Sequence, residues 1–400
     1  MRGILVRLIA AGIIAGAASA DMTSDGKFAA GLRERGLVDF AADHCRGQLK
    51  KADLSAARRA ECTIELCRAL AAQAADAAPT ERAALWKEAR DAVERFAARH
   101  RDDPRLLHVR MQAAMTVTVR GELALREVEV STSAVALAEA RPALTEANRE
   151  LEKLAGDVAV ALRRVDRPGA PPGDARQRVE LMTLESDVRR AYARSQQLLA
   201  ECFAAGSPDR VDALTQAIDR LKPLAASDDA QEAIGARLEL AFCYRLLGDY
   251  ENARGQIDAV ARDPQHAPLA DRLATEAGRL AMAERRWKDA AAALGEAGTS
   301  AAPPSSAPAE RRYAAADRQF ARLELALGQW EAATASNDAE ASKLHVGRAA
   351  EIARALESHG PYWQRRARTL LGSRLAGKTG GGDLAVLVTA AENLVHADRL

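Results

Sequence analysis

Apolar positions recur at spacings of three and four along most of the chain, the signature of helices with one buried face. The breaks between these runs repeat. Gly248-Asp249-Tyr250, Arg285-Arg286-Trp287 and Gly328-Gln329-Trp330 each follow an apolar run, and each precedes a small residue three positions on: Ala253, Ala290 and Ala333. Asp398-Arg399-Leu400 opens a fourth copy. Near the N-terminus, Gly36-Leu37-Val38 with Ala41 and Cys45 has the spacing of Gly248-Asp249-Tyr250 with Ala253 and Ile257. Trp86, Ala89, Val93 and Phe96 match Trp287, Ala290, Leu294 and Ala297 at the same offsets. Helix pairs joined by tight turns are the predicted unit.

Three stretches depart from this rhythm. Leu144, Ala147, Leu151, Leu154, Val158, Ala161 and Val165 form an a/d heptad stripe, with Pro142 expected in the first turn of that helix. Its short length favours a long antiparallel hairpin over a dimerising coiled coil. Met115 to Val130 partly alternates, with Gly121 available for a turn, but an isolated hairpin would leave open strand edges, so helix is expected. Proline-rich breaks are expected at 167–173 and 298–309, and Thr80 is expected to cap a helix that begins near Glu81.

Composition sharpens the class. Ala, Leu, Arg and Glu dominate, and aromatic residues are 4% of the chain, which points to an almost wholly helical protein. The first twenty residues read as an export leader: Arg2 and Arg7, an apolar core from Leu8 to Ala18, then Ala18-Ser19-Ala20, with cleavage expected after Ala20. Without Arg2 and Arg7 the 57 basic residues become 55 against 56 acidic ones, a formal charge of −1. That balance gives no electrostatic case for nucleic acid or an anionic membrane surface. No later segment reads as a membrane span. Of the five cysteines, Cys62 and Cys67 are too divergent on one helix to bridge, and Cys45 can reach either across adjacent helices. Buried free thiols are the favoured reading.

The repeat resembles the tetratricopeptide family. Leu240-Ala241, Tyr244, Gly248-Asp249-Tyr250, Ala253 and Ile257 carry the best copy; Ala277-Gly278, Ala281, Trp287, Ala290 and Leu294 the second. Phe320-Ala321, Glu324, Gly328, Trp330 and Ala333 form a third, poorer because Asn337 and Glu340 stand where apolar residues are expected. The resemblance implies an all-α helix-pair solenoid, a right-handed superhelix, here with a long central helical hairpin. The expected organisation is a signal peptide at 1–20, helical pairs over 21–110, the hairpin and break over 111–173, and repeats over 174–400. The last repeat holds only its first helix, which leads us to expect a continuation beyond Leu400. The family also implies a groove lined by the first helix of each pair. Phe242, Arg245, Arg279, Met282, Arg318 and Arg322 fall at groove-facing offsets, and their charge fits an acidic peptide.

Chemical motifs add little. Gly372 to Thr379 matches the P-loop letters GxxxxGK[ST], but no apolar strand precedes it, and glycines follow where a helix should begin. The seven histidines show no HExxH spacing, and no GxSxG is present. No catalytic residue, cofactor or metal site is expected. The sequence reads as a non-catalytic exported scaffold for protein–protein interaction in the periplasm or cell envelope. The alternative is a structural envelope component that self-associates through the 142–165 helix.

Overall fold

Helix starts follow from local capping chemistry. Thr23, Ser55, Asp229, Asp249 and Asp338 each accept a hydrogen bond from a first-turn backbone N–H that the helix itself leaves unpaired. The computed structural model describes residues 23–131, 134–167, 174–295 and 309–375. Among these it contains fifteen α-helices, two short 3-10 helices and no strand. The leader, both proline-rich breaks and the fourth repeat copy lie outside the described residues.

Two compact units divide the chain. The first takes the residues up to Arg126 together with Ala134–Arg220; the second takes Glu127–Ser133 and everything from Leu221 on. In the first unit, α1 (Ser24–Glu34) pairs with α2 (Val38–Leu49), and α3 (Ala56–Asp76) with α4 (Pro79–Arg99). The next helices are α5 (Leu106–Ser131), α6 (Ala134–Val165), α7 (Asp174–Glu201) and α8 (Pro208–Ala225). Besides their sequence neighbours, alternate helices touch: α1 packs on α3. Ala71 of α3 packs on Val119 and Leu123 of α5, and Met115 of α5 on Ala191 and Tyr192 of α7.

The second unit repeats the arrangement. Helix α9 (Ala230–Leu247) pairs with α10 (Tyr250–Arg262), and a 3-10 turn at Pro264–Leu269 leads into α11 (Ala270–Ala283) and α12 (Trp287–Leu294). Then come α13 (Ala309–Ala335), α14 (Ala339–Ala355) and α15 (Pro361–Leu375). Again α9 touches α11, α11 touches α13, and α13 touches α15. Small residues set the close crossings. A Cβ on Gly278 would sit 2.5 Å from Leu294 Cγ, and one on Gly328 would sit 2.9 Å from Trp287 Cζ3. Trp363 fills the end of this unit against Tyr313, Phe320 and Tyr362.

The predicted helices at Met115–Val130 and through the heptad stripe both form. The stripe is covered inside the first unit: Leu144, Leu151, Leu154 and Val158 are buried against α5 and α7. All five cysteines are buried and none is in a disulfide, and Cys45, Cys62 and Cys67 share one core cluster.

Three expectations need correction. Helix α4 begins at Pro79 with Ala78 at its cap, so Thr80 lies inside the first turn and caps nothing. Pro142 sits well inside α6, which starts at Ala134. The third repeat copy has no turn at Gly328-Gln329-Trp330: α13 runs straight through it, because Gly328 admits Trp287 and Trp330 is buried. The real turn lies nine residues on (328 to 337), where Asn337 takes φ 57° and Asp338 caps α14. Asn337 and Glu340 are polar because they form that turn and the following helix start.

Candidate functional site

The six residues expected to line a groove are spread along α9, α11 and α13, and the structure commits their charges to partners within the fold. Arg245 of α9 pairs with Glu276 of α11 at 3.0 Å, and its guanidinium lies 5.4 Å from the centre of the Phe242 ring. Arg279 of α11 grips Asp317 of α13 through two parallel hydrogen bonds of 2.8 and 3.0 Å, and reaches Glu324 at 3.2 Å. Burial alone would lower the Arg279 pKa; the Asp317 and Glu324 carboxylates more than offset it and raise it well above the ordinary value. Met282 packs with Leu294 and Trp287 as partly buried core.

Arg318 and Arg322 do something else. The slipped turn of the third copy means neither stands at the offset assigned to it. Instead both guanidiniums converge on the last carbonyl of α12. Arg318 Nε donates to Leu294 O at 2.9 Å, and Arg322 donates to it from Nε at 3.1 Å and Nη2 at 2.7 Å. A helix C-terminus offers unpaired carbonyls and a partial negative charge, so two guanidiniums there form a side-chain cap. Arg322 is only 3% exposed, and burial together with Arg318 lowers its pKa. Arg318 also holds Asp271 at 3.0 Å.

These pairs belong to a wider pattern that the sequence did not disclose. Within each unit, every two neighbouring odd-numbered helices are tied by an arginine. Arg33 of α1 meets Glu65 of α3 at 3.2 Å, and Arg68 of α3 reaches Gln112 of α5 at 3.0 Å. Arg194 of α7 meets Glu122 of α5 at 2.8 Å. In the second unit Arg366 of α15 lies 3.9 Å from Asp317 of α13 and 3.1 Å from Glu129, with its guanidinium 4.3 Å from the Phe320 ring centre. Glu65 and Glu122 are almost fully buried. Burial pushes the Glu122 pKa up, yet Arg194 and Arg126 outweigh it and hold the carboxyl below the ordinary 4.5. Partners such as Arg245 and Glu276 stand far apart in sequence on surfaces rich in both charges, so no local spacing marks them.

Among the described residues, two open cavities in the first unit stand out. One, of about 280 Å3, lies over α5 between α4 and α6, with an apolar floor that includes Trp86, Val93, Ala113 and Val117. Its rim carries Arg110 paired with Asp157 at 3.0 Å. The other, of about 300 Å3, lies over α7 between α6 and α8 and is polar. Among the described residues no cluster of three metal-ligating side chains occurs, and no helix is long and apolar enough to cross a membrane. The first four residues of the P-loop-like stretch, Gly372 to Leu375, belong to the end of α15, and the rest lies outside the described residues. Compared with family models and with characterised proteins, the chain matches neither.

Proposed function

We propose that the protein is a non-catalytic, exported helix-pair scaffold of tetratricopeptide-like build that binds a protein partner in the periplasm or cell envelope. The observation that carries this reading is the contact of alternate helices within each unit, together with the arginine ties between them. Helix pairs stacked in this way bury one another, and they leave long, continuous side faces available to a partner. The buried carboxylates and guanidiniums hold neighbouring pairs together, so their attraction supports the stacking of the helices. Turns at Gly36, Gly248, Arg285 and Asn337 all adopt left-handed backbone, which supports one repeated helix–turn–helix unit.

The test is photo-crosslinking in intact cells, with a photoreactive amino acid at exposed positions on α4, α6 and α8, followed by mass spectrometry. A discrete adduct with one or a few envelope proteins is the expected outcome. An array of positions that yields no adduct, from protein shown to be exported and folded, would discard the scaffold reading. Self-association through the 142–165 helix is less favoured, because the stripe proposed for it is packed against α5 and α7.

A further inference from the structure

The core under the N-terminal helices holds two thiols in mutual contact. The Cys45 thiol of α2 donates a hydrogen bond to the Cys62 sulfur of α3. These two helices pack on each other, and both cysteines belong to one buried cluster with Ala29 of α1 and Leu66 and Leu70 of α3. Contact between cysteine side chains that project from different elements toward each other is the arrangement a disulfide requires.

The other cysteines are directed elsewhere. Cys67 donates to the Ala89 carbonyl of α4 at 3.6 Å, on the far side of α3 from that contact, and Cys202 to the Leu198 carbonyl of its own helix at 3.7 Å. Cys243 lies on α9 in the second unit. The sequence gives Cys45 two partners within reach, and the hydrogen bonds separate them: Cys62 faces α2, and Cys67 is engaged with α4.

We propose that Cys45 and Cys62 are a disulfide site, closed as the chain folds by exchange with an external disulfide. One thiol of the pair loses its proton and attacks that disulfide, forming a mixed disulfide and releasing one thiolate, which takes up the proton. The second thiol does the same at the cysteine sulfur of the mixed disulfide and releases the other half. Two cysteine thiols are thereby oxidised to one disulfide, and the external disulfide is reduced to two thiols. In the finished fold Cys45 is fully buried and Cys62 is 1% exposed, so the exchange precedes the seating of α1 and α2 on α3. The bond fastens α2 to α3 by restricting the unfolded chain. Only the supply of the external disulfide rests on the export reading, because exported proteins fold where such oxidants are present.

The test refolds the reduced full chain in a mixture of reduced and oxidised glutathione, alkylates the remaining thiols in denaturant, and maps the products by mass spectrometry. Loss of two of the five thiols is expected, with the tryptic peptide Gly36–Arg46 joined to Ala60–Arg68. The link should persist in Cys67→Ala and vanish in Cys45→Ala and in Cys62→Ala, with circular dichroism checking that each variant is helical. A second sample, native protein held with the same mixture in sub-denaturing urea, gives the same readout without complete refolding. Five alkylated thiols in both samples, or a link from Cys45 that disappears in Cys67→Ala, would overturn the proposal. Because the oxidant is supplied in the tube, these outcomes bear on the cysteine pair alone, and the export and scaffold readings stand or fall on the crosslinks in cells.

Discussion

Arg279 and Asp317 form a bidentate pair between α11 and α13, Nη2 to Oδ1 at 2.8 Å and Nη1 to Oδ2 at 3.0 Å, with both side chains mostly buried. Removing one partner of such a pair leaves the other charge desolvated and uncompensated. We therefore expect Asp317→Asn to destabilise the second unit by about 2–4 kcal/mol. Arg279→Glu, which faces Asp317 and Glu324 with a third carboxylate, should cost more. Urea unfolding followed by tryptophan fluorescence reads both, and a double-mutant cycle with Arg279→Met isolates the coupling. An Asp317→Asn variant with unchanged midpoint would show that the pair contributes nothing to stability.

Arg285 occupies the left-handed turn position with φ 59°, where the equivalent turns carry Gly36 and Gly248. An L-residue pays a steric penalty there that glycine avoids, so Arg285→Gly should stabilise the protein by roughly 0.5–1 kcal/mol. Asn337→Gly should do less, since asparagine tolerates this conformation better. A fall in melting temperature for Arg285→Gly would mean that its side chain contributes more than its backbone costs.

Gly278 is a helix-interior glycine pressed against Leu294. Alanine there gains helix propensity of up to about 1 kcal/mol, but it overlaps Leu294 Cγ, and overpacking costs roughly 1–3 kcal/mol. We expect Gly278→Ala to destabilise, and Leu294→Ala in the same chain to recover part of the loss. Thermal melts of the two single variants and the double settle this. Strict additivity would contradict the overlap.

His108 lies on α5, where burial lowers its pKa below the ordinary 6.5; Glu180 opposes this and Arg105 reinforces it. The folded state therefore prefers the neutral ring. The associated stability is fully present above pH 6.5 and declines as the pH falls from 6.5 through the folded value, because the unfolded chain takes up the proton first. His108→Gln should flatten the stability–pH curve over that window, by a slope of at most one proton. A curve of the same steepness in the variant would assign the acid sensitivity elsewhere.

The all-helical class, the turns at Gly36, Gly248 and Arg285, and the buried stripe on α6 were legible because each follows from local chemistry: periodicity, a left-handed position, a capping side chain. The third repeat was misread because Gly328 serves two patterns equally well. A glycine before an aromatic can end a helix, or it can admit a neighbour's ring, and only the position of Trp287 decides between them. The groove arginines were misplaced for a related reason. An arginine at a surface offset reads as solvent-facing until its partner is known, and Glu276, Asp317 and the Leu294 carbonyl all come from other helices. The partner of Cys45 stayed open in the sequence because Cys62 and Cys67 share a helix; the Ala89 carbonyl of α4, which engages Cys67, separates them.

The guanidinium clamp on Leu294 bears on how the chain can grow. Arg318 and Arg322 fasten the end of α12 to α13 directly, so the docking of these two helices does not depend on the length of chain that joins them. Loop-closure entropy rises only slowly with length. The junction between Gly295 and Ala309 is therefore a splice site: a reporter domain or an additional module could be carried there while the two helices stay seated.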